Sequence, residues 1–365
     1  MKFRCERDVL AEAIGTAGRA VTNRGGSLPV LAGVRFELRG SELRLTGSDL
    51  DLTITTTVEV AGDTDGIAVL PAKLAGEIIR VLEPGRVEVA IGDDEASITA
   101  GRSQFAVRAI PAAEFPRLHE PDGDGVTLSS TALSDALRQV VIAASTEESR
   151  PILTGVNMAT EGDGLRLVAT DSYRLAVRDL PGTSFLEEGQ NVLVPSTALR
   201  ELGRLLGGAE EVTVRLGERD AAFELGGVHL VTRLIDGEFP NYRGLIPPRH
   251  NHRLTVGREA LLDAVRRVKV VAREPSTPIK LAMSGEGLSL SASAQDVGNA
   301  FEQLDAKYEG EELTVAFNPE YLIDGLEVAT GDEVTLETVD ALKPALLKSI
   351  DSTDFLYLLM PVRVS

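Results

Sequence analysis

Hydrophobic positions along the chain follow two periods. Val34, Phe36 and Leu38 alternate with Arg35, Glu37 and Arg39, which predicts a strand with one buried face. Leu133, Leu137, Val140 and Val141 recur at helical spacing and predict an amphipathic helix. The same series of elements then returns. First helices start at Asp8, Thr131 and Arg258. Each leads into a strand-rich block: VRFELRGSELRLTGSDL, GVNMATEGDGLRLVATDSYRL and IKLAMSGEGLSLSASAQDV. A strand, a proline and a second helix follow in AVLPAKLAGEIIRVL, LVPSTALRELGRLL and AFNPEYLIDGLEV, with Pro71, Pro195 and Pro319 spaced by 124 residues. Proline fits a first helical turn because its missing N–H would be unpaired there. Asn318 is placed to cap the third of these helices. Closing strands QFAVRAIP, HLVTRLID and DFLYLLMP end the copies, and Phe115 and Phe239 of the two EFP motifs are again 124 apart. The pattern predicts an α+β chain of three tandem domains at 1–121, 126–247 and 252–365, each with two helices and about eight short strands.

Composition narrows the class. The 365 residues are 43% hydrophobic and 25% charged, lack Trp and carry only 4% aromatics, so the cores are built from Leu, Val, Ile and Ala. The lone Cys5 excludes an internal disulfide and a cysteine metal cage. The start, MKFRCERDVL, has no apolar segment of a secretory signal, and FLYLLMPV (355–362) is too short to cross a bilayer. We therefore expect a reduced, cytoplasmic protein with no membrane partner. Catalytic signatures are missing: no nucleophile elbow, phosphate-binding loop or dinucleotide fingerprint occurs. His250 and His252 form a pair without a third ligand in reach, and read as solvated linker residues. The expectation is a non-enzyme with no cofactor and no metal.

The formal net charge of -19 argues against nucleic acid, unless the basic residues share one face. Many do sit on or beside the repeat helices: Arg19, Arg24, Lys73 and Arg80; Arg138, Arg150, Arg200 and Arg204; Arg266, Arg267, Lys269 and Arg273. Equivalent helices around a common centre would make a positive lining that holds phosphates and reads no bases. The alternative is that these cations are solvated or paired with acids such as Glu12, Glu77 and Glu201.

Taken with the motifs MKF, LPVLAGV, LTGSDLDL, GRSQFAVRAIPAAEFPRL, LVATDSYRLAV, LIDGEFPNYRGLIP and YLLMPVRV, the threefold repeat resembles the bacterial DNA sliding clamp family, the beta subunit of DNA polymerase III. The resemblance covers the whole chain. It implies a head-to-tail homodimer whose six domains close around double-stranded DNA, with helices lining the hole. Family DNA-facing positions match Lys73 and Arg80; Arg24 lies one residue from another, and Arg150 matches a basic loop position. Ring closure would use Phe105 and Val107 on one chain against Val270 and Val271 on the other. Taken alone, Phe105 and Val107 also fit an ordinary core.

The family also carries an apolar pocket for short peptides of the DNA polymerase III alpha subunit, the clamp loader, other polymerases and repair proteins. Matching positions are Leu153, Thr170, Asp171, Ser172, Tyr173, Arg174, Leu175, Pro240, Gly244, Leu245, Asn318, Tyr321, Leu342, Pro344, Leu358, Leu359, Met360, Pro361 and Val362, with Arg363 at the rim. YLLMPVRV alone reads as a core strand. Ser172 and Tyr173 replace a common Gly-His, Gly244 stands where Arg is frequent, and Pro344 where Ser is frequent. The implied function is a non-catalytic processivity clamp; the alternative is a tandem-repeat interaction scaffold that never encircles DNA.

Overall fold

The computed structural model describes residues 1–21, 28–116, 121, 125–274 and 277–363. Three copies of one order of elements follow each other, the second with one strand fewer. The first is β1 (Lys2–Glu6), α1 (Arg7–Ala17), β2 (Gly33–Arg39), β3 (Glu42–Ser48), β4 (Leu52–Glu59), β5 (Ala61–Thr64), β6 (Gly66–Pro71), α2 (Ala72–Val81), β7 (Arg86–Ile91), β8 (Glu95–Ala100) and β9 (Ser103–Arg108). The second is β10 (Val126–Ser129), α3 (Ser130–Val140), β11 (Gly155–Glu161), β12 (Gly164–Thr170), β13 (Arg174–Leu180), β14 (Asn191–Pro195), α4 (Ser196–Leu206), β15 (Glu211–Leu216), β16 (Asp220–Leu225) and β17 (Val228–Arg233). The third is β18 (His252–Gly257), α5 (Arg258–Lys269), β19 (Ile279–Ser284), β20 (Gly287–Ala294), β21 (Gly298–Leu304), β22 (Ala306–Glu309), β23 (Leu313–Phe317), α6 (Pro319–Val328), β24 (Glu333–Thr338), β25 (Ala345–Ser349) and β26 (Phe355–Leu359).

Two backbone details recur in all three copies. The turns after β3, β12 and β20 each place one non-glycine residue in the left-handed region: Leu50 (φ 83°), Ser172 (φ 80°) and Asp296 (φ 66°). A hydrogen bond also ties the segment after each closing strand to the strand before the second helix. It runs from Ile110 N to Val69 O, from Ile235 N to Leu193 O and from Val362 N to Ala316 O, each at 2.8 Å.

The first helices are shorter than their sequence pattern predicts. Apolar residues beyond their ends (Ala20, Val141 and Ala143) are buried in tightened turns instead of further helix, and Ala272 is buried just past α5. Pro71 and Pro195 close strands, and only Pro319 occupies a first helical position. The third closing strand also lies two residues further along than the aligned strings suggest. Arg233 N donates to Asp51 O, and Met360 N to Tyr173 O, both at 2.9 Å, so Met360 is the counterpart of Arg233. A shift of two keeps every side chain on its own face.

By contacts, the chain forms two compact units. The first holds Met1–Thr131 and Glu201–Leu234. Its eight-stranded sheet has the order β10-β15-β16-β17-β4-β3-β2-β6, and its five-stranded sheet β5-β1-β7-β8-β9. The second holds Ala132–Arg200 and Ile235–Ser365, with a nine-stranded sheet β14-β11-β12-β13-β26-β25-β24-β18-β22 and a four-stranded sheet β21-β20-β19-β23. The unit boundary passes through the middle copy. Its strand β17 pairs with β4 of the first copy, from Val228↔Thr56 to Thr232↔Leu52. Its strand β13 pairs with β26 of the third, from Arg174↔Leu359 to Arg178↔Phe355.

Aliphatic packing dominates the interior. In the first copy Leu10, Ile14 and Ala17 of α1 and Ile78 and Ile79 of α2 join Val34, Phe36, Leu43, Leu45, Val87 and Val89 in one cluster. Helix α1 lies so close to β3 that a Cβ on Gly47 would stand 2.0 Å from the Ala17 carbonyl oxygen. The obstacle is backbone, which cannot swing away. Gly47→Ala should therefore destabilise the chain by about 2–3 kcal/mol, seen as a lower urea midpoint with an unchanged slope; an unaltered midpoint would show that α1 can retreat from the sheet.

Candidate functional site

Arg174 organises the candidate pocket, which lies in the second unit. It opens β13, and its guanidinium is largely buried. Nε donates to Asp171 Oδ2 at 3.0 Å, and Nη1 to Asp324 of α6 and to the Tyr357 hydroxyl at 3.3 Å. That hydroxyl donates onward to Tyr321 O at 3.1 Å. The guanidinium carbon stands 4.5 Å from the Tyr321 ring centroid. Burial opposes the charge on Arg174, but Tyr357, Asp324 and Asp171 outweigh it and hold the group further above its ordinary value. Burial pushes the Tyr357 phenol up as well, so it stays a neutral donor.

The turn ahead of Arg174 is built by side chain–backbone bonds. Asp171 Oδ1 accepts from Tyr173 N (2.9 Å) and Arg174 N (3.0 Å), and Thr170 Oγ1 donates to Arg174 O at 2.6 Å. These bonds hold Ser172 in its left-handed conformation. Arg150 Nη1 donates to Ser172 Oγ at 3.2 Å, and the same side chain pairs with Glu147 at 2.8 Å. The turn thereby projects Tyr173, 57% exposed, onto Tyr321, with ring centroids 6.5 Å apart and nearly parallel.

Leu175 and Leu358 sit opposite each other in the β13/β26 pair and cluster with Val168, Val177, Tyr242 and Leu346. Leu153, Thr170, Asp171, Leu175, Leu358 and Leu359 are buried, so YLLMPVRV is in part the core strand that it resembles. Arg174, Asn318, Tyr321, Pro344, Pro361 and Val362 are half-buried, and Ser172, Pro240, Gly244 and Arg363 are exposed. Tyr173, Leu245, Leu342 and Met360 are among the large apolar residues left exposed. Asn318 caps α6, its Oδ1 accepting from Glu320 N at 2.8 Å. Leu342 follows a turn in which Asp340 Oδ1 accepts from its N–H at 2.8 Å.

Sequence reasoning missed Asp324, Tyr357, Phe239 and Tyr242. Asp324 falls one helical turn after Tyr321, and Tyr242 lies inside the quoted EFPNYRGLIP motif, so spacing could have found both. Arg243 Nη2 pairs with Glu161 at 2.6 Å and pins the short helical turn Arg243–Leu245. The Arg243 hydrogen bond holds Glu161 below the usual carboxylate range.

The basic helix residues divide between the two readings. Arg204 pairs with Glu201, Arg266 with Asp263 and Glu327, Arg267 with Glu302, and Lys269 with Glu320. Arg200 has a partner too. Arg138 donates to Glu327 O at 3.2 Å. Lys73 and Arg80 are exposed and have no acidic partner among the described residues. Arg24 lies outside the described residues. Glu201 takes the pairing role expected of it, whereas Glu12 and Glu77 make no ion pair among the described residues.

At the candidate interface, β9 and β21 each end a sheet. Val107 is a core side chain and Phe105 is half-buried, so β9 offers chiefly its backbone edge. Val270 is exposed and Val271 half-buried. Sequence reasoning overlooked Val297, just before β21, and Phe301 within it, both exposed. No cluster of three metal-ligating side chains occurs among the described residues, and none of their helices is long and apolar enough to cross a membrane.

Family profiles of the DNA polymerase III beta subunit match the chain three times: the N-terminal domain at 1–119, the central domain at 127–241 and the C-terminal domain at 243–363. The beta sliding clamps of Streptomyces coelicolor and Bacillus subtilis are 34% and 31% identical, with 100% of both chains covered. Among solved structures, the sliding clamp of Bacillus subtilis aligns with a TM-score of 0.92 at 30% identity. That of Bartonella birtlesii bound to griselimycin aligns with 0.94 at 32%, again over 100% of both chains.

Replacing Arg174 strands two carboxylates. Arg174→Leu should lower unfolding free energy by about 3 kcal/mol, read from urea unfolding; a loss below about 1 kcal/mol would show that Asp171 and Asp324 rehydrate freely. The Glu161–Arg243 pair carries a pH dependence. Its carboxylate has a lowered folded pKa, so the stabilisation is present above the ordinary value of 4.5 and fades as pH falls through the lowered one. Both groups are partly exposed, so Arg243→Ala should cost at most about 1 kcal/mol at pH 7. The gap between variant and parent should close in acid; a gap independent of pH would refute the linkage.

Proposed function

Because the chain belongs to the DNA polymerase III beta subunit family, we propose that it acts as a DNA sliding clamp closed around duplex DNA by head-to-tail pairing of two copies. As a member of that family it is a non-catalytic processivity subunit. The observation that carries the ring is a pair of unmatched strand edges. Closing strand β17 lies on β4, and closing strand β26 on β13, the counterpart of β4 in the next copy. The remaining closing strand, β9, has a free edge, and so does β21, the remaining counterpart. Open edges are templates for strand addition, and a heterologous contact of this kind closes when a second copy supplies the complementary edge.

Both internal junctions dictate the same register. Thr232 faces Leu52 and Leu359 faces Arg174, so Val107 of one chain should face Gly298 of the other, and Phe105 should face Ala300. Exposed Phe301 and Val297, with Val270 and Val271, would be covered in the process. Domains at 1–121, 126–247 and 252–365 would supply six segments to the ring.

Lys73 and Arg80, free of acids among the described residues, are the cations best placed to meet phosphates, with Arg138 and Arg150 joining them; Arg24, outside the described residues, is proposed from the resemblance alone. Arg204, Arg266, Arg267 and Lys269 would contribute only by exchanging their carboxylate partners, and Arg200 by leaving the partner it has. Contacts of this kind hold no base edge and permit sliding. In the pocket around Arg174, exposed Tyr173, Leu245, Leu342 and Met360 form apolar walls for an extended peptide. Its bearers would be the DNA polymerase III alpha subunit, the clamp loader, other polymerases and repair proteins, in the cytoplasm.

Retention on DNA tests the ring. Loaded onto nicked circular DNA by a clamp loader, the protein should co-elute with the circle and be lost once the DNA is linearised. Retention on the linear form would mean direct binding and end the ring reading; failure to load at all would favour an interaction scaffold. The register has its own test. Ala106 and Asn299 are exposed and would face each other across the closure. The Ala106→Cys/Asn299→Cys double variant should oxidise to a covalent dimer, and neither single variant should, with Cys5 buried out of reach. Monomer alone after oxidation would refute this register.

A further inference from the structure

The internal repeat makes one junction a control for another. In α1 and α3 the buried positions correspond: Leu10 to Leu133, Ile14 to Leu137 and Ala17 to Val140. Gly15 and Thr16 therefore stand where α3 has Arg138 and Gln139. In the second unit those two side chains reach the last carbonyls of α6: Arg138 Nη1 donates to Glu327 O at 3.2 Å and Gln139 Nε2 to Val328 O at 3.0 Å. They fill the junction and cap the helix. In the first unit neither Gly15 nor Thr16 can reach α4, the counterpart of α6. A cleft of about 750 Å³ opens there instead.

Three guanidiniums converge on this cleft, those of Arg19, Arg80 and Arg204. Glu12 is the one acid among the lining residues. Arg19 and Arg204 both pair with Glu201, Arg19 at 3.3 Å, while Arg80 has no acidic partner among the described residues. Apolar wall comes from Leu205, Leu225 and Val228. We propose that this cleft is a binding site for a phosphate ester of a nucleoside. Arg80 takes the phosphate, and Arg19 and Arg204 turn to it from their shared carboxylate. The terminal phosphate of a nucleotide carries more charge than one carboxylate, a backbone diester carries the same, and both accept the paired N–H groups of a guanidinium equally well. The apolar wall takes the sugar or base. The volume falls within the range of small-ligand sites, roughly 300–1,000 Å³.

The ligand has two sources, a free nucleotide or the backbone of a DNA strand. Only the second rests on the clamp reading. Calorimetric titration of the full-length protein with dATP, inorganic pyrophosphate and a short DNA duplex tests the site, in buffer without divalent cations. We expect saturable dATP binding that weakens at least tenfold in Arg80→Ala/Arg204→Ala and in Gly15→Arg, and stays unchanged in Arg102→Ala, an exposed arginine that does not line the cleft. Gly15→Arg copies the filled junction into the open one; a Cβ at Gly15 meets nothing nearer than the Arg80 Nη2 atom at 3.5 Å, so the variant should fold. Far-ultraviolet circular dichroism and sedimentation check that it does, and the double arginine variant tests the site without touching α1. Duplex that displaces dATP identifies the DNA backbone as the source, and failure to displace it identifies the free nucleotide. The proposal is overturned if neither dATP nor duplex shows a Gly15→Arg-sensitive component, or if pyrophosphate alone binds as tightly as dATP. Retention on circular DNA, measured separately, keeps a failure here distinct from a failure of the clamp reading.

Discussion

A strand edge left unpaired exposes a row of backbone donors and acceptors, and the chain is organised around meeting that demand. Each copy ends in a strand too many for its own sheet. The second copy places that strand on β4 of the first, and the third places it on β13 of the second. The copies are therefore not beads on a string. Contacts divide the chain through the middle copy, because that copy gives one sheet to each neighbour. No described strand lies on the outer side of β9, so it keeps its edge, and β21 keeps the matching one. Assembly follows from the same requirement that folds the chain.

Local periodicity carried most of the fold. Alternation and helical spacing place the helices and the repeat from sequence alone, because each copy buries similar faces at similar intervals. Pairing partners were not legible. Val228 and Thr56 are far apart in the chain, and nothing in either strand names the other. A shift of two in β26 is equally silent, since it preserves the pattern of buried faces. The left-handed residues Leu50, Ser172 and Asp296 also escape composition. None is glycine, and side chain–backbone bonds such as those of Asp171 hold the turn.

The pocket shows the same division. Its apolar members sit in motifs and could be named by resemblance. The polar frame beneath them joins distant segments: Arg174 reaches Asp324 and Tyr357 because β13 and β26 pair and α6 packs beside them. Tyr173 depends on that frame, because its backbone is held by Asp171 and its ring rests on Tyr321. An exposed aromatic platform on a buried ion network is a rigid surface with little side-chain entropy left to lose. That suits repeated capture and release of short peptides.

Charge bears on how the two functions coexist. A chain of net charge -19 repels a duplex on average, and most cations of its helices are already paired. Tight electrostatic capture is therefore not available to it. For a protein retained by topology, this is an advantage: each phosphate contact that must break slows sliding, while a closed ring needs none of them for retention. On the proposed reading, a few cations without acidic partners among the described residues, such as Lys73 and Arg80, keep the duplex from the acidic remainder without anchoring it. On that same proposed reading, affinity is concentrated where the chain has deep, satisfied structure, in the candidate pocket around Arg174, and partner proteins rather than DNA decide where the clamp is held.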